Sequence, residues 1–231
     1  MKPSRRLFLL VSLFSVLATS SQAQNPLEPG QKLSSGTEVN FELKWDVADP
    51  QWFAVSVASN GESSYSSEPQ AKKADAGDPY SLKFVTSEPT RAQIFELTKS
   101  LNYFKGNFET KYKVAKTGDK TLTYRDGAHE SKVTLNYSDN PQMNQLVDIF
   151  QKMSSTFELS RKLDYDIRFD KLGLERDLKS MEDVNKSHGL IELQVISPTL
   201  QRIASDPTVM NISRQRARRL LDQAQVANGS R

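Results

Sequence analysis

The chain of 231 residues has no cysteine. That excludes disulfides, Cys-ligated zinc, iron–sulfur clusters and thiol nucleophiles. Two histidines are too few for a three-His metal site within one chain. The sequence contains no G-x-S-x-G, S-x-x-K, P-loop, G-x-G-x-x-G, H-E-x-x-H or EF-hand loop. The common hydrolase, nucleotide, dinucleotide, metalloprotease and calcium signatures are therefore missing. No apolar run reaches the roughly 20 residues that span a bilayer. What is present argues for a folded domain: eleven Phe, seven Tyr and two Trp accompany an apolar fraction of 37%.

The N-terminus reads as an export signal. Lys2, Arg5 and Arg6 form a basic start, Leu7 to Ala18 (LFLLVSLFSVLA) an apolar run, and Ser21-Gln22-Ala23 a small-residue cleavage site. This is the layout of a secretory signal peptide over 1–23, cut after Ala23. Ser4-Arg5-Arg6-Leu7-Phe8-Leu9 resembles the twin-arginine export signal, but Leu10 stands where that motif has Lys, so Sec export is the expected route. No Cys follows the run to take a lipid anchor. The signal also accounts for the formal charge of +3, because its three basic residues leave 28 basic and 28 acidic residues in the mature chain. That neutrality is uneven. Residues 202–231 carry six basic and two acidic residues, net +4, and residues 24–201 carry net −4.

Residues 24–36, with two Pro and two Gly, read as a flexible tether. Strand alternation then begins. Val39, Phe41, Leu43, Trp45 and Val47 share one parity, and Phe53, Val55 and Val57 continue it after Asp49-Pro50. Asn60-Gly61 predicts a hairpin into a strand at 62–67. Tyr80, Leu82 and Phe84 mark another strand after the polar loop 68–79. Ile94, Leu97, Leu101 and Phe104 lie on one face of a helix that starts near Ser87 and Pro89. Residues 110–138 predict a three-stranded meander: Tyr112 and Val114, then Leu122 and Tyr124, then Val133, Leu135 and Tyr137. Asn140-Pro141 opens a helix through Met153. Further helices are expected over 157–172, 174–186, 199–205 and from Pro207 onward, with fraying over 226–231. The segment 190–196 fits strand or helix, and helix is preferred. Strands followed by helices define an α+β class: an antiparallel sheet with one interrupting helix, then a C-terminal helical region. The expected organisation is an α+β domain over 37–155 and a helical region over 156–225.

Chemistry-bearing residues are sparse. Asp126, His129 and Glu130 could relay a proton or hold a metal, but no second His is near, and a turn role is preferred. His188, before Gly189, fits a helix C-terminus. Asp164, Asp166 and Asp170 cluster on one predicted helix, with Asp166 and Asp170 at i, i+4. Paired carboxylates serve acid–base work or bind cations, but Lys162 and Arg168 stand at the spacing that neutralises Asp166 and Asp164. Arg214, Arg216, Arg218 and Arg219 make a basic run that would meet an anionic envelope partner or dock on the acidic body. Tyr112, Tyr124 and Tyr137 could line a ligand platform or fill a core. No residue is assigned as catalytic, and no cofactor, metal or nucleic acid is expected.

Gly118–Gly127 (GDKTLTYRDG) and Asn140–Met153 (NPQMNQLVDIFQKM) resemble a family of secreted bacterial proteins without an assigned function. The resemblance implies export and a bacterial source, and it carries over no functional residue. The expectation from sequence is a soluble, periplasmic or secreted protein of the bacterial envelope. It would be non-enzymatic and bind another macromolecule through a sheet edge or the basic helix. The alternatives are a carboxylate hydrolase using Asp164, Asp166 and Asp170, or a small-ligand carrier with an aromatic sheet face.

Overall fold

The structure is a computed structural model that describes residues 36–70, 78–127 and 129–229. The signal peptide (1–23) and all but the last residue of the tether (24–36) lie outside the described residues.

Six strands form one antiparallel sheet: β1 (Glu38–Lys44), β2 (Trp52–Ala58), β3 (Glu62–Glu68), β4 (Tyr80–Val85), β5 (Asp119–Asp126) and β6 (His129–Leu135). Their order is β4-β3-β2-β1-β5-β6. The alternation seen in the sequence fixes the register. Phe41 stands opposite Val55 on one side and Leu122 on the other. All three point to the face where Val39, Tyr65 and Leu135 are also buried. The other face carries small polar side chains joined across strands, as in Asn40 Nδ2 to Ser56 Oγ at 2.9 Å and Thr121 to Thr134 at 3.0 Å. The β2–β3 turn runs through Ser59, Asn60 and Gly61. Gly61 adopts φ +93°, which a side chain would resist.

Two helices cover the apolar face: α1 (Glu88–Ser100) and α2 (Pro141–Phe169). Asn140 caps α2, its Oδ1 accepting from the backbone N–H groups of Gln142 at 2.9 Å and Met143 at 3.2 Å. Phe150 stacks on Phe41 at 5.1 Å, and Phe157 meets Tyr65 at 5.2 Å and Phe84 at 4.8 Å. Thus α2 crosses the sheet toward β4, and its last turns run on to carry the remaining helices. These are α3 (Leu174–Lys186), α4 (Ser197–Ser205) and α5 (Asn211–Gly229). The expected fold class holds: an antiparallel sheet interrupted by one helix and followed by a helical region.

Several details differ from expectation. The first strand of the meander does not form. Residues 105–118 run without regular structure, and Tyr112 is 76% exposed. Side chains tie this stretch to the end of β6 where a ladder was expected: Asn136 Oδ1 accepts from Thr117 N at 2.7 Å, and Glu109 takes Asn136 N at 2.6 Å. The two helices expected at 141–153 and 157–172 are one, α2, so the 155/156 boundary falls inside a helix. The hydroxyls of Ser155 and Thr156 bond back to the carbonyls of Gln151 at 3.0 Å and Lys152 at 2.9 Å, so the polar step continues the helix. In the 190–196 stretch only Leu193–Ile196 is helical, as a 3-10 turn. Before it, Glu192 adopts φ +58° and turns its carboxylate back to Ser87, taking the N–H at 2.9 Å and the hydroxyl at 2.6 Å. Helix α5 continues to Gly229, past the predicted fraying point at 226.

Candidate functional site

The sequence cluster of Asp164, Asp166 and Asp170 separates in space. Asp164 pairs with Arg202 of α4. Asp170 ends α2 and accepts from Gly173 N at 3.0 Å through Oδ1. A Cβ at Gly173 would press on that carboxylate, so a larger residue in the tight α2–α3 turn would push the Asp170 side chain aside. This turn folds α3 back onto α2 and brings in a residue that the sequence reading passed over, Asp177.

Asp177 is buried at the α2–α3 interface. Its Oδ1 accepts from Lys162 Nζ at 2.9 Å and Arg176 Nε at 3.0 Å, and its Oδ2 from Arg176 Nη2 at 3.2 Å. Burial works against its charge, but the bonds to Arg176, Asp166 and Lys162 outweigh burial and hold its carboxyl below the usual range. Asp166, 3% exposed, faces it across the interface. Burial first, then the hydrogen bond and the charge of Asp177, push the Asp166 carboxyl up to about 7. The two carboxyls are therefore pushed apart, Asp166 toward the protonated form and Asp177 toward the ionised one. Among the described residues Asp166 forms no ion pair, and its Oδ2 is buried without a hydrogen-bond partner. The predicted Lys162–Asp166 and Asp164–Arg168 pairs are both replaced by partners from other helices.

Asp166 lines an elongated groove of about 790 Å³ along one side of α2. Ser154, Glu158, Lys162 and Asp170 continue the wall, Asp49-Pro50 and Pro69 close one end, and Arg176 flanks the other. Glu158 is tied down: Tyr65 Oη donates to it at 2.8 Å, Ser67 Oγ at 2.5 Å, and Arg161 pairs with it at 3.4 Å. Burial, then the charge of Glu158, raises the Tyr65 hydroxyl so that it stays protonated. Tyr165 stands at the groove wall with its ring 4.9 Å from Phe169. The two are 60% and 70% exposed, and Leu172 beyond them is 76% exposed.

A second concavity of about 800 Å³ lies between the β1–β2 loop, β6 and α2. At its floor Lys120 donates to Asn136 O at 2.7 Å, Thr117 Oγ1 at 3.0 Å and Gly118 O at 3.2 Å. Burial lowers its pKa against the pull of Glu109 and Asp119. With Thr117 O at 3.3 Å, four acceptors surround its three protons, so Lys120 clamps the 105–118 segment and offers no free amine.

The other sequence candidates are structural. Asp126 and His129 face each other at the exposed end of β5–β6, and Arg125 takes Glu130 at 2.7 Å. Among the described residues no group of His, Asp or Glu is arranged to hold a metal ion. His188 closes α3 at φ +57°, its N–H reaching Asn185 O at 2.9 Å while Gly189 N reaches Val184 O at 2.9 Å. His188 takes the left-handed position, and at Gly189 a Cβ would lie 2.8 Å from Val184 Cγ1 and 3.1 Å from Val184 O. The arginines of α5 dock inside the molecule. Arg216 bridges Glu175 at 2.9 Å and Glu182, Arg219 reaches Glu182 at 2.8 Å, and Arg218 bonds Ala204 O at 3.2 Å. Tyr124 packs on Tyr103 at 4.7 Å, whereas Tyr112 and Tyr137 are exposed outside the strands, so the three tyrosines form no shared platform. No protein-family model matches the chain, and no curated protein matches its sequence. Among the described residues no helix is long and apolar enough to cross a membrane.

Proposed function

We propose that the mature chain is an exported, non-enzymatic binding protein of the bacterial envelope whose ligand sits in the α2 groove. The basic start, twelve-residue apolar run and Ser21-Gln22-Ala23 site support export. The observation that carries the binding reading is Asp166, a buried carboxyl that lines an open groove and has no ion-pair partner of its own. Such a group is costly to keep without a function. Binding through the arginines of α5 has less support, since Arg216 and Arg219 already hold Glu175 and Glu182.

The convergence of Asp166 and Asp177 favours one second reading, a hydrolase using the pair as acid and base. Against it, both oxygens of Asp177 are taken by Lys162 and Arg176, which leaves no free carboxylate base.

The test has two arms. The full chain is expressed in a bacterial host, and the N-terminus of the periplasmic form is read; Gln24 is expected. The mature protein, isotopically labelled, is then screened by amide NMR against soluble fragments. Shifts clustered at Lys162, Asp166, Asp170 and Arg176 support the groove. Shifts confined to the β4 edge or to α5 would overturn it. Turnover of a chromogenic glycoside or ester that Asp166→Asn abolishes would install the hydrolase reading.

A further inference from the structure

The charges around the groove are unevenly matched. Arg161 pairs with Glu158, and both Lys162 and Arg176 pair with Asp177. Every one of these groove cations has its carboxylate. Asp166 and Asp170 have no cation within ion-pair distance among the described residues, and they stand one helical turn apart on the same wall. Asp170 is the C-cap of α2, one turn on from Asp166 and near enough for its charge to act on that carboxyl, so a nitrogen with several N–H donors can address both. Among the described residues no cluster of three metal-ligating side chains exists there, so they offer a bare metal ion too few ligands. Tyr165 adds an exposed aromatic face beside the carboxylates, the surface that an alkyl ammonium or a guanidinium favours. The groove continues for about 24 Å along α2 from Ser154 to Asp170, at about 1.5 Å per residue, which suits an extended chain.

We propose that the groove binds an organic cation, a primary ammonium or guanidinium carried on an extended chain, held between Asp166 and Asp170 beside Tyr165. This rests on the groove being the ligand site. Binding displaces the proton of Asp166: the neutral acid and the ligand cation become a carboxylate–cation pair, and one proton leaves to solvent. The charged groups that face Asp166 are Lys162 and Asp170 from α2 and Asp177 and Arg176 from α3, with Asp49 and Glu158 farther along the groove. Of these, Lys162, Arg176 and Asp177 keep their mutual bonds, and the ligand's charge offsets that of the ionised Asp166 from the groove side.

Two sources supply this chemistry, a free polyamine and the basic side chains of a peptide. The test is calorimetric titration of the mature protein with spermidine in one arm and acetylated trilysine in the other. Each is run at pH 6 and pH 8 in two buffers of different ionisation heat. Binding in either arm, tightening about tenfold per pH unit up to pH ~7 with up to one proton released, supports the inference. Which arm binds identifies the source. Asp170→Asn, which keeps an Oδ1 acceptor for the Gly173 N–H, should weaken binding about tenfold, the worth of one charge-assisted hydrogen bond, with unchanged circular dichroism as the control for folding. Absence of binding in both arms at pH 8, or binding without proton release and indifferent to Asp170→Asn, overturns it. If neither cation binds yet groove amides shift with an uncharged or anionic fragment, this inference fails while the groove remains a ligand site.

Discussion

Replacing Asp166 with Asn should stabilise the protein above neutral pH. In the unfolded chain the Asp166 carboxyl ionises near 3.9, a difference of about three units from its folded value of about 7. The folded state therefore holds a proton that the unfolded state releases, and stability falls as pH rises from about 4 to about 7. Three units at about 1.4 kcal/mol each set an upper limit near 4 kcal/mol, and sharing with Asp177 and screening along the groove bring the working figure to about 2 kcal/mol. Asp177 has the opposite sign, since its lowered carboxyl loses stability only below about pH 4. An Asn at 166 never ionises, and its amide can donate permanently to Asp177. The variant should match the wild type near pH 4.5 and exceed it by about 2 kcal/mol at pH 8, a rise in Tm of about 4–8 °C for a domain this size. Guanidinium unfolding followed by circular dichroism at pH 4.5, 6, 7 and 8 measures both curves. A variant less stable at every pH, or a wild type that gains stability between pH 5 and 8, would refute the account of a protonated, buried Asp166.

Four further outcomes follow from the packing. Arg216 is 15% exposed between Glu175 and Glu182, so Arg216→Gln should cost about 2–3 kcal/mol, measured by denaturant unfolding. Arg219, with its side chain 51% exposed, should cost under about 1 kcal/mol on the same change. Phe157→Ala removes the ring that joins α2 to Tyr65 and Phe84 and should lower stability by about 3–5 kcal/mol. Lys120→Met leaves the carbonyls of Asn136 and Gly118 without their donor, at about 2 kcal/mol, and limited proteolysis should then cut within 105–118.

Where a single face decides the structure, the sequence was informative. The alternation through Val39, Phe41 and Leu43 names the buried face of β1, and the Asn140-Pro141 pair marks the start of α2. It misled where alternation had no partner. Tyr112 and Val114 alternate like a strand, yet side chains of Asn136 and Glu109 hold that stretch to β6. Separate helices were expected up to Met153 and from 157, yet the hydroxyls of Ser155 and Thr156 between them bond back to carbonyls within one continuous helix. Half of the site was legible. Asp166 and Asp170 stood out by spacing, but their neighbours on the chain, Lys162 and Arg168, are not their partners in space. Asp177 escaped notice because its meeting with Asp166 depends on the turn at Gly173. A signal existed: Asp177 lies on the apolar stripe of Leu174, Leu178 and Met181, where a buried acid requires a partner.

The most direct test of the cation groove is a carbon-detected NMR titration of the aspartate side-chain carboxyls in the mature protein. The Asp166 carboxyl should titrate near pH 7 in the free protein and drop into the ordinary carboxylate range when the ligand cation saturates the groove. A carboxyl that titrates near 4 in the free protein, or one that still titrates near 7 with the cation bound, would contradict it.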